Sequence, residues 1–299
     1  MASHSDMQPA IIAIMGSTGV GKSSFINTVT KNHRLPVGHA LDSCTKEIQE
    51  VRLKWGEKQK PVVLVDTPGF NDSSMSDTEV LRLIAKYLVT THKAGTKLTG
   101  VIYMHRIADS KVEGGTRRNF RMFQQLCGSK HLRQVVIVTT WWDKVDGIVA
   151  LARERQLCEG ETLFRPMLAA GAKMMRHEMR LDEGFSSAQA VLNHLLQLNP
   201  TDLNIQTQLV KEKRSLPVTD AGSVINHDLI RDARRCLDSL AAVQEELDKT
   251  KDATAKQTLE EERRELQEEK KAIRKQIKTL SKNLNERFVL WRILSSMGL

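Results

Sequence analysis

Apolar residues gather in four short runs, at residues 10–15, 61–65, 100–105 and 134–139. They are rich in Val and Ile and bounded by Gly, Pro or Asp. Runs of this length and composition read as strands covered on both faces, as in a parallel sheet. The stretches between them change to helical spacing. Ser76 and Glu79 form a capping box, and Val80, Leu81, Leu83, Ile84, Tyr87 and Leu88 follow on one face. A second helix is predicted over 116–127, with Phe120, Phe123 and Leu126 inward and Gly128 as its stop. A third begins near Ser187, carries Val191, Leu195 and Leu198, and ends at Asn199-Pro200. Alternation of strands and helices predicts an α/β fold with a doubly wound, mainly parallel sheet.

The pattern changes after about Gly222. From Asp228 to Arg287 there is no Pro or Gly, and Glu, Lys, Arg, Leu and Gln dominate. Leu259, Leu266, Ile273 and Leu280 recur every seven residues, with Ile277, Leu284 and Trp291 as a second row. This is an a/d seam, interrupted by Arg263 and Lys270, and it predicts a long helix or coiled coil. Leu237, Leu240 and Leu247 keep an earlier phase. The polar stretch 249–256 between the two phases is either a hairpin tip or a stutter. The helical region either lies on the globular domain or self-associates. The expected division is a disordered 1–9, an α/β domain over 10–222, and a helical extension over 223–299.

Composition narrows the function classes. Of 299 residues 40% are apolar, which excludes a wholly disordered chain, and 4% are aromatic, which disfavours a base-stacking surface. A net charge of +9 suits phosphate-bearing partners without selecting one, and gives no reason to propose nucleic-acid binding. Cys44, Cys127, Cys158 and Cys236 lack the spacing of a zinc site or disulfide framework. No secretory signal or spanning segment is read, so the expected location is cytoplasmic. The segment 287–299 is amphipathic to apolar and follows a basic stretch. It has three readings: contact with an anionic membrane surface, docking on the globular domain, or extension of a dimer seam.

The chemistry begins directly after the first strand. Gly16, Ser17, Thr18, Gly19, Val20, Gly21, Lys22 and Ser23 fit G-x-x-x-x-G-K-S in full, with Ser24 next in the helix. Small residues let the chain turn while its N–H groups point into one concavity, and the helix N-terminus adds positive potential. Lys22 is the cation for the β- and γ-phosphates, and Ser23 offers a hydroxyl to Mg²⁺. Asp66 ends the next buried strand, in Asp66-Thr67-Pro68-Gly69, where its carboxylate reaches the same metal through water. Gly69 lets a backbone N–H approach the γ-phosphate.

A P-loop followed by DTPG resembles the translation-factor-related GTPases. The wording is most similar to the avirulence-induced, or immunity-associated, GTPase family, close to septins. GVIYMHRIAD followed by VVIVTT also resembles uncharacterised fungal G-domain proteins with helical tails. The similarity runs from about Ile11 to Leu198. It implies GTP/GDP and Mg²⁺ as ligands, and it places Thr45, within 37–48, where the switch I Thr binds Mg²⁺ and the γ-phosphate. It also implies nucleotide-dependent pairing of G domains. Arg106, at the end of the fourth strand, matches an arginine that some members supply in trans; the other reading is a salt-bridged surface residue. The base motif departs from the family's T-K-x-D or T-R-x-D, being Thr140-Trp141-Trp142-Asp143. Thr140 and Asp143 match. Trp141 either stacks on the purine or packs with Trp142, and Asp143 either reads guanine or caps the next helix. The last base contact is sought in 165–177, with Gly171-Ala172 and His177 as candidates. Phe70 and Asn71 replace the Gln that orients water in many small GTPases, which predicts slow turnover. The expected function is a slow, dimerising GTP switch with a helical output arm. A hydrolysis-deficient nucleotide-binding scaffold, and an ATPase or P-loop kinase, are the competing classes.

Overall fold

The computed structural model describes residues 8–31, 35, 45–179, 182–282 and 284. Six strands form one sheet: β1 (Ala10–Gly16), β2 (Gln49–Trp55), β3 (Lys60–Asp66), β4 (Leu98–Arg106), β5 (Val135–Thr140) and β6 (Lys173–Arg176). Their order is β2-β3-β1-β4-β5-β6, with only β2 antiparallel to its neighbour. The four strands expected from the apolar runs are β1, β3, β4 and β5. The two edge strands were not anticipated from the sequence: β2 alternates charged solvent-facing residues with apolar ones, and β6 is only four residues long.

Side-chain alternation divides the core into two layers. Ile12, Ile14, Leu64, Met104 and Val138 face α1 (Lys22–Thr30) and α6 (Phe185–Leu195). Ile11, Ala13, Val65, Tyr103 and Ile137 face the larger layer. That layer contains α2 (Asp77–Lys93), α3 (Gly114–Cys127), α4 (Gly147–Glu159) and α5 (Arg165–Ala169). Helix α2 opens with the expected capping box of Ser76 and Glu79. Helix α3 stops at Gly128, whose φ is 79°.

After a short α7 (Asn204–Gln206) and a π turn at Thr207–Lys211, two long helices complete the larger layer. These are α8 (Asp220–Lys249) and α9 (Ala253–Ser281). The boundary expected at 222 falls in the first turn of α8. Residues 250–252 form a hairpin tip, and the Asp252 side chain caps α9 by accepting from the N–H groups of Thr254 and Ala255. Ile273, Ile277 and Leu280 of the heptad rows are buried in the same core cluster as Leu229, Ala233 and Cys236 of α8. The seam therefore closes within the chain. Arg263, a polar residue in that seam, donates across the hairpin to Gln244 Oε1 at 3.1 Å. The hairpin rests on α2 and α3, with Arg82 donating to the carbonyls of Thr279 and Lys282. No helix among the described residues is long and apolar enough to cross a membrane. The tail segment 287–299, residues 37–44 of the loop over 37–48, and the N-terminal residues 1–7 lie outside the described residues.

Candidate functional site

The C-terminal ends of β1 and β3 lie side by side, so the loops that leave them must meet. The chain leaves β1 through Gly16 (φ 144°), where a side chain would sit 2.4 Å from the Met104 carbonyl oxygen. It enters α1 after Gly21 in the left-handed region. Lys22 is buried and curls over the loop, its Nζ donating to the carbonyls of Ser17 (2.9 Å) and Gly16 (3.3 Å). Burial lowers its pKa to about 8, against the raising influence of Asp66 and Asp72. It is a desolvated cation held by neutral carbonyls, a state that an incoming polyphosphate would relieve.

Ser23, Thr45 and Asp66 come together from α1, the loop before β2, and the end of β3. The Ser23 hydroxyl donates to Asp66 Oδ2 at 2.7 Å, Thr45 Oγ1 donates to the same oxygen at 3.2 Å, and the two hydroxyls are 3.3 Å apart. Asp66 Oδ1 is buried with no hydrogen-bond partner among the described residues. Burial raises the Asp66 pKa, and hydrogen bonds from Ser23 and Thr45 oppose the rise. An orphaned carboxylate oxygen beside two hydroxyls is a hard, all-oxygen set, and it fits a Mg²⁺ ion.

Gly69 packs directly on the P-loop. A Cβ there would lie 2.3 Å from Thr18 Oγ1 and 2.6 Å from Thr18 Cα, so only Gly fits. Phe70 is fully buried, and its backbone is stitched to the same loop: Thr18 N–H donates to Phe70 O and Phe70 N–H to Gly16 O. Thr18 Oγ1 donates to Asp72 Oδ2 at 2.7 Å. Sequence reasoning missed Asp72, although it lies only three residues beyond Gly69. The Asn71 side chain bonds Thr116 and Asn119 on α3.

The base-side residues divide. Thr140 is buried, and its hydroxyl donates to the Val20 carbonyl at 2.9 Å, bracing the P-loop from below. Trp142 is buried, donates to Thr139 and carries the Arg176 guanidinium 4.3 Å over its ring. Trp141 is exposed and left-handed (φ 63°), and Asp143 is exposed beside Lys144 at 3.2 Å. Capping of α4 falls to Asp146, not Asp143. The stretch 165–177 is mostly α5 and β6, not a ligand loop; the loop beyond β6 begins only at His177. His177 is a core residue: it packs edge-on against Phe25, its Nδ1 is 2.9 Å from Ser187 Oγ, and burial lowers its pKa to about 4. Arg106 stands beside Gly19, its Nη1 3.4 Å from where a Cβ on that residue would lie, while its Nε is 3.0 Å from Asp109 Oδ1.

Residues 11–139 match the family model described as 50S ribosome-binding GTPase. An uncharacterised Escherichia coli protein, YkfA, is 28% identical over 166 residues, which is 52% of this chain and 53% of that protein. GTP-binding protein A of Dictyostelium discoideum is 29% identical over 137 residues, 45% of this chain and 28% of the relative. The chain thus spans about half, or less, of the curated relatives it matches. Among solved structures, Toc33 from Arabidopsis thaliana with GDP and Mg²⁺ superposes with a TM-score of 0.50 at 16% identity, covering 64% of this chain and 84% of Toc33. Its form with Mg²⁺ and GMPPNP gives 0.51 at 15% identity, covering 65% and 88%. The fold is that of a P-loop GTPase G domain followed by a helical region. These similarities support a P-loop GTPase G domain and do not confirm the finer resemblance to the avirulence-induced or septin-like family.

Proposed function

We propose that this chain binds GTP and GDP with Mg²⁺ and hydrolyses GTP slowly, acting as a nucleotide-controlled switch whose output is the helical hairpin. The observation that carries this reading is the convergence of Ser23, Thr45 and Asp66 on one carboxylate oxygen beside the buried Lys22. Gly16 to Ser24 would cradle the phosphates, and Lys22 would exchange its two carbonyl partners for phosphate oxygens. Ser23 and Thr45 would hold the metal by their hydroxyls, with Asp66 behind them. Bound there, Mg²⁺ supplies neutralisation of charge on the β- and γ-phosphate oxygens. Gly69 would offer its N–H to the γ-phosphate. Asp143 would read guanine, with the exposed Trp141 lying against the purine, and Thr140 would hold the loop in register.

Slow turnover follows from what stands after Gly69. Phe70 is apolar and buried, and the Asn71 side chain is committed to α3. Neither can orient a water molecule. The same two residues favour the alternative of a nucleotide-binding scaffold that does not hydrolyse. A Toc33 structure is described as a dimerization-deficient mutant, so dimers of that protein exist. Pairing of this chain in its GTP state is part of the proposal, with Arg106 exposed enough to reach a partner's phosphates. In that case turnover rises with protein concentration and loses the rise in Arg106→Ala. A rate independent of concentration removes the pairing from the proposal.

The test is calorimetric titration of GTP, GDP and ATP with Mg²⁺ into the full chain and Lys22→Ala, with phosphate release followed in parallel. Guanine nucleotides are expected to bind tightly and ATP weakly, and Lys22→Ala to bind none of them well. Equal affinity for ATP overturns the guanine assignment. No binding at millimolar nucleotide overturns the whole reading.

A further inference from the structure

A second concavity lies at the C-terminal end of β4, beside the P-loop but built from different residues. It is a half-open cleft of about 370 Å³ between the end of β4, the loop to α3, α3 itself and α4. None of Gly16 to Ser24, Thr45, Asp66 or Gly69 lines it. Its polar walls carry the basic side chains Arg106, Lys111, Arg117 and Arg153 with His105, Ser110 and Gln156, and Asp109 is the one carboxylate of the lining.

That carboxylate is already engaged by Arg106 at 3.0 Å. Neither Arg153 nor Arg117 makes a close ion pair among the described residues, and Asp109 also feels the Arg153 charge. Arg153 spends Nη1 on the carbonyls of Ile107 and Ala108, and Arg117 donates to Val112 O and Thr162 Oγ1. Each guanidinium keeps further N–H groups beyond those bonds. Lys111 is exposed at the mouth. His105 is the least expected member. It is 3% exposed and packed edge-on against Phe120 and Phe164. Burial, and next the Arg106 charge, lower its pKa to about 4, so the ring is neutral at pH 7 and offers one N–H.

Four cationic side chains against one carboxylate leave the lining in a positive field rich in donors, with Ile107, Val112, Leu157 and Leu163 as apolar wall. Such a surface attracts oxygen anions and repels cations. The volume lies within the ordinary range for small-ligand sites. We propose that this cavity binds a small amphiphilic oxyanion, an organic phosphate or carboxylate carrying a short apolar body, independently of the P-loop. Arg106 borders both the cavity and Gly19, so the same guanidinium stands between the two sites.

The probes are phenyl phosphate, benzoate and inorganic phosphate, titrated calorimetrically into the full chain carrying Lys22→Ala, which removes the phosphate grip of the P-loop. Phenyl phosphate or benzoate is expected to bind saturably, the tighter of the two identifying the headgroup, and inorganic phosphate more weakly than phenyl phosphate. Adding Lys111→Gln and Arg117→Gln should weaken binding by about tenfold for each charge-assisted hydrogen bond lost. Lys111→Gln alone, at an exposed position, serves as the variant that leaves the fold intact. Absence of saturable binding at millimolar probe overturns the proposal. So does an affinity unchanged by the cavity substitutions, or inorganic phosphate binding as well as phenyl phosphate. Because Lys22 is already removed, these outcomes do not depend on nucleotide binding.

Discussion

Arg118 of α3 donates from Nη2 to Asp77 Oδ2 at 2.6 Å, at the first position of α2. The other oxygen of Asp77 accepts the backbone N–H of Asn71 at 2.8 Å, in the loop that follows Gly69. The remaining arm of Arg118 lies 3.8 Å from Asp228 of α8. Since Thr18 holds Asp72 of that same loop, a continuous polar chain runs from the P-loop to the helical hairpin. A shift of the loop on γ-phosphate binding would change the partner of Asp77 and hence the seat of α8.

The first prediction concerns that chain. Asp77 is buried, and Arg118→Ala leaves its carboxylate without its ion-pair partner. A loss of about 2–3 kcal/mol in unfolding free energy is expected, the worth of a hydrogen bond to a charged group. Asp228→Asn, at the far end, should cost far less. It should nevertheless erase any difference in amide hydrogen exchange of α8 between the GDP and GTP-analogue forms. A difference that persists in Asp228→Asn would show that the hairpin senses nucleotide by another route.

Lys22 gives a pH prediction. Its pKa in the nucleotide-free fold is about 8, below the ordinary lysine value, because it is buried. Only the protonated amine pairs with phosphate. Below pH 8 the free protein is already charged, and affinity should not depend on this group. Above pH 8 binding must take up a proton, so affinity should fall by about tenfold per pH unit. Calorimetry at pH 8.5 in buffers of different ionisation enthalpy reads that uptake directly; absence of a buffer dependence would contradict it. Stability moves the opposite way, rising with pH between about 8 and 10.5, because the unfolded chain then holds the proton more tightly.

How much of this was legible beforehand depended on sequence distance. The P-loop and the DTPG turn are contiguous, and each residue's chemistry follows from its neighbours. Strands β1, β3, β4 and β5 are buried on both faces, so they appear as unbroken apolar runs. Strand β2 was missed because Arg52 and Lys54 alternate with Val51 and Leu53 at a solvent-facing edge. Strand β6, Lys-Met-Met-Arg, is too short to carry a period. Thr140 was recognised, yet its partner, the Val20 carbonyl, lies 120 residues away and nothing local announces it. The links from Thr18 to Asp72 and from Arg118 to Asp228 are tertiary in the same sense.

His105 and His177 should set the acid limit of the fold. Both are buried, and burial holds both near pKa 4, whereas the unfolded chain titrates near 6.5. The stability held in their neutral forms is fully present above pH 6.5. It declines as pH falls towards 4, by up to about 3 kcal/mol for each ring. Thermal unfolding midpoints between pH 7 and 4.5 should therefore drop. His105→Phe, which keeps an aromatic ring between Phe120 and Phe164, should flatten part of the slope. An unchanged slope in that variant would exclude His105 as a contributor.

Gly69 is tested by a single methyl. Because a Cβ would lie 2.3 Å from Thr18 Oγ1, Gly69→Ala must push the loop off the P-loop and break the Thr18–Asp72 bond. Diphosphate binding depends on Lys22 and the P-loop, so GDP affinity should change by less than about threefold. Affinity for a GTP analogue, which on the proposed reading uses the Gly69 N–H, should fall by about tenfold or more, the worth of one charge-assisted hydrogen bond. Equal losses for both nucleotides would mean that the substitution deforms the P-loop itself.

The heptad rows in α9 invite the expectation of a coiled-coil dimer, and the packing argues against it. Ile277 and Leu280 are 3% and 0% exposed, sunk in a core shared with α8 and α2. A second chain could reach them only by prising α9 from its own domain. Ile277→Ala should therefore act as a core substitution, lowering stability by about 2–4 kcal/mol. It should leave the oligomeric state, measured by light scattering, as it is in the unmutated chain for each nucleotide. If the variant instead converts a dimer to a well-folded monomer, the seam works between chains and the docked hairpin is not the form in solution.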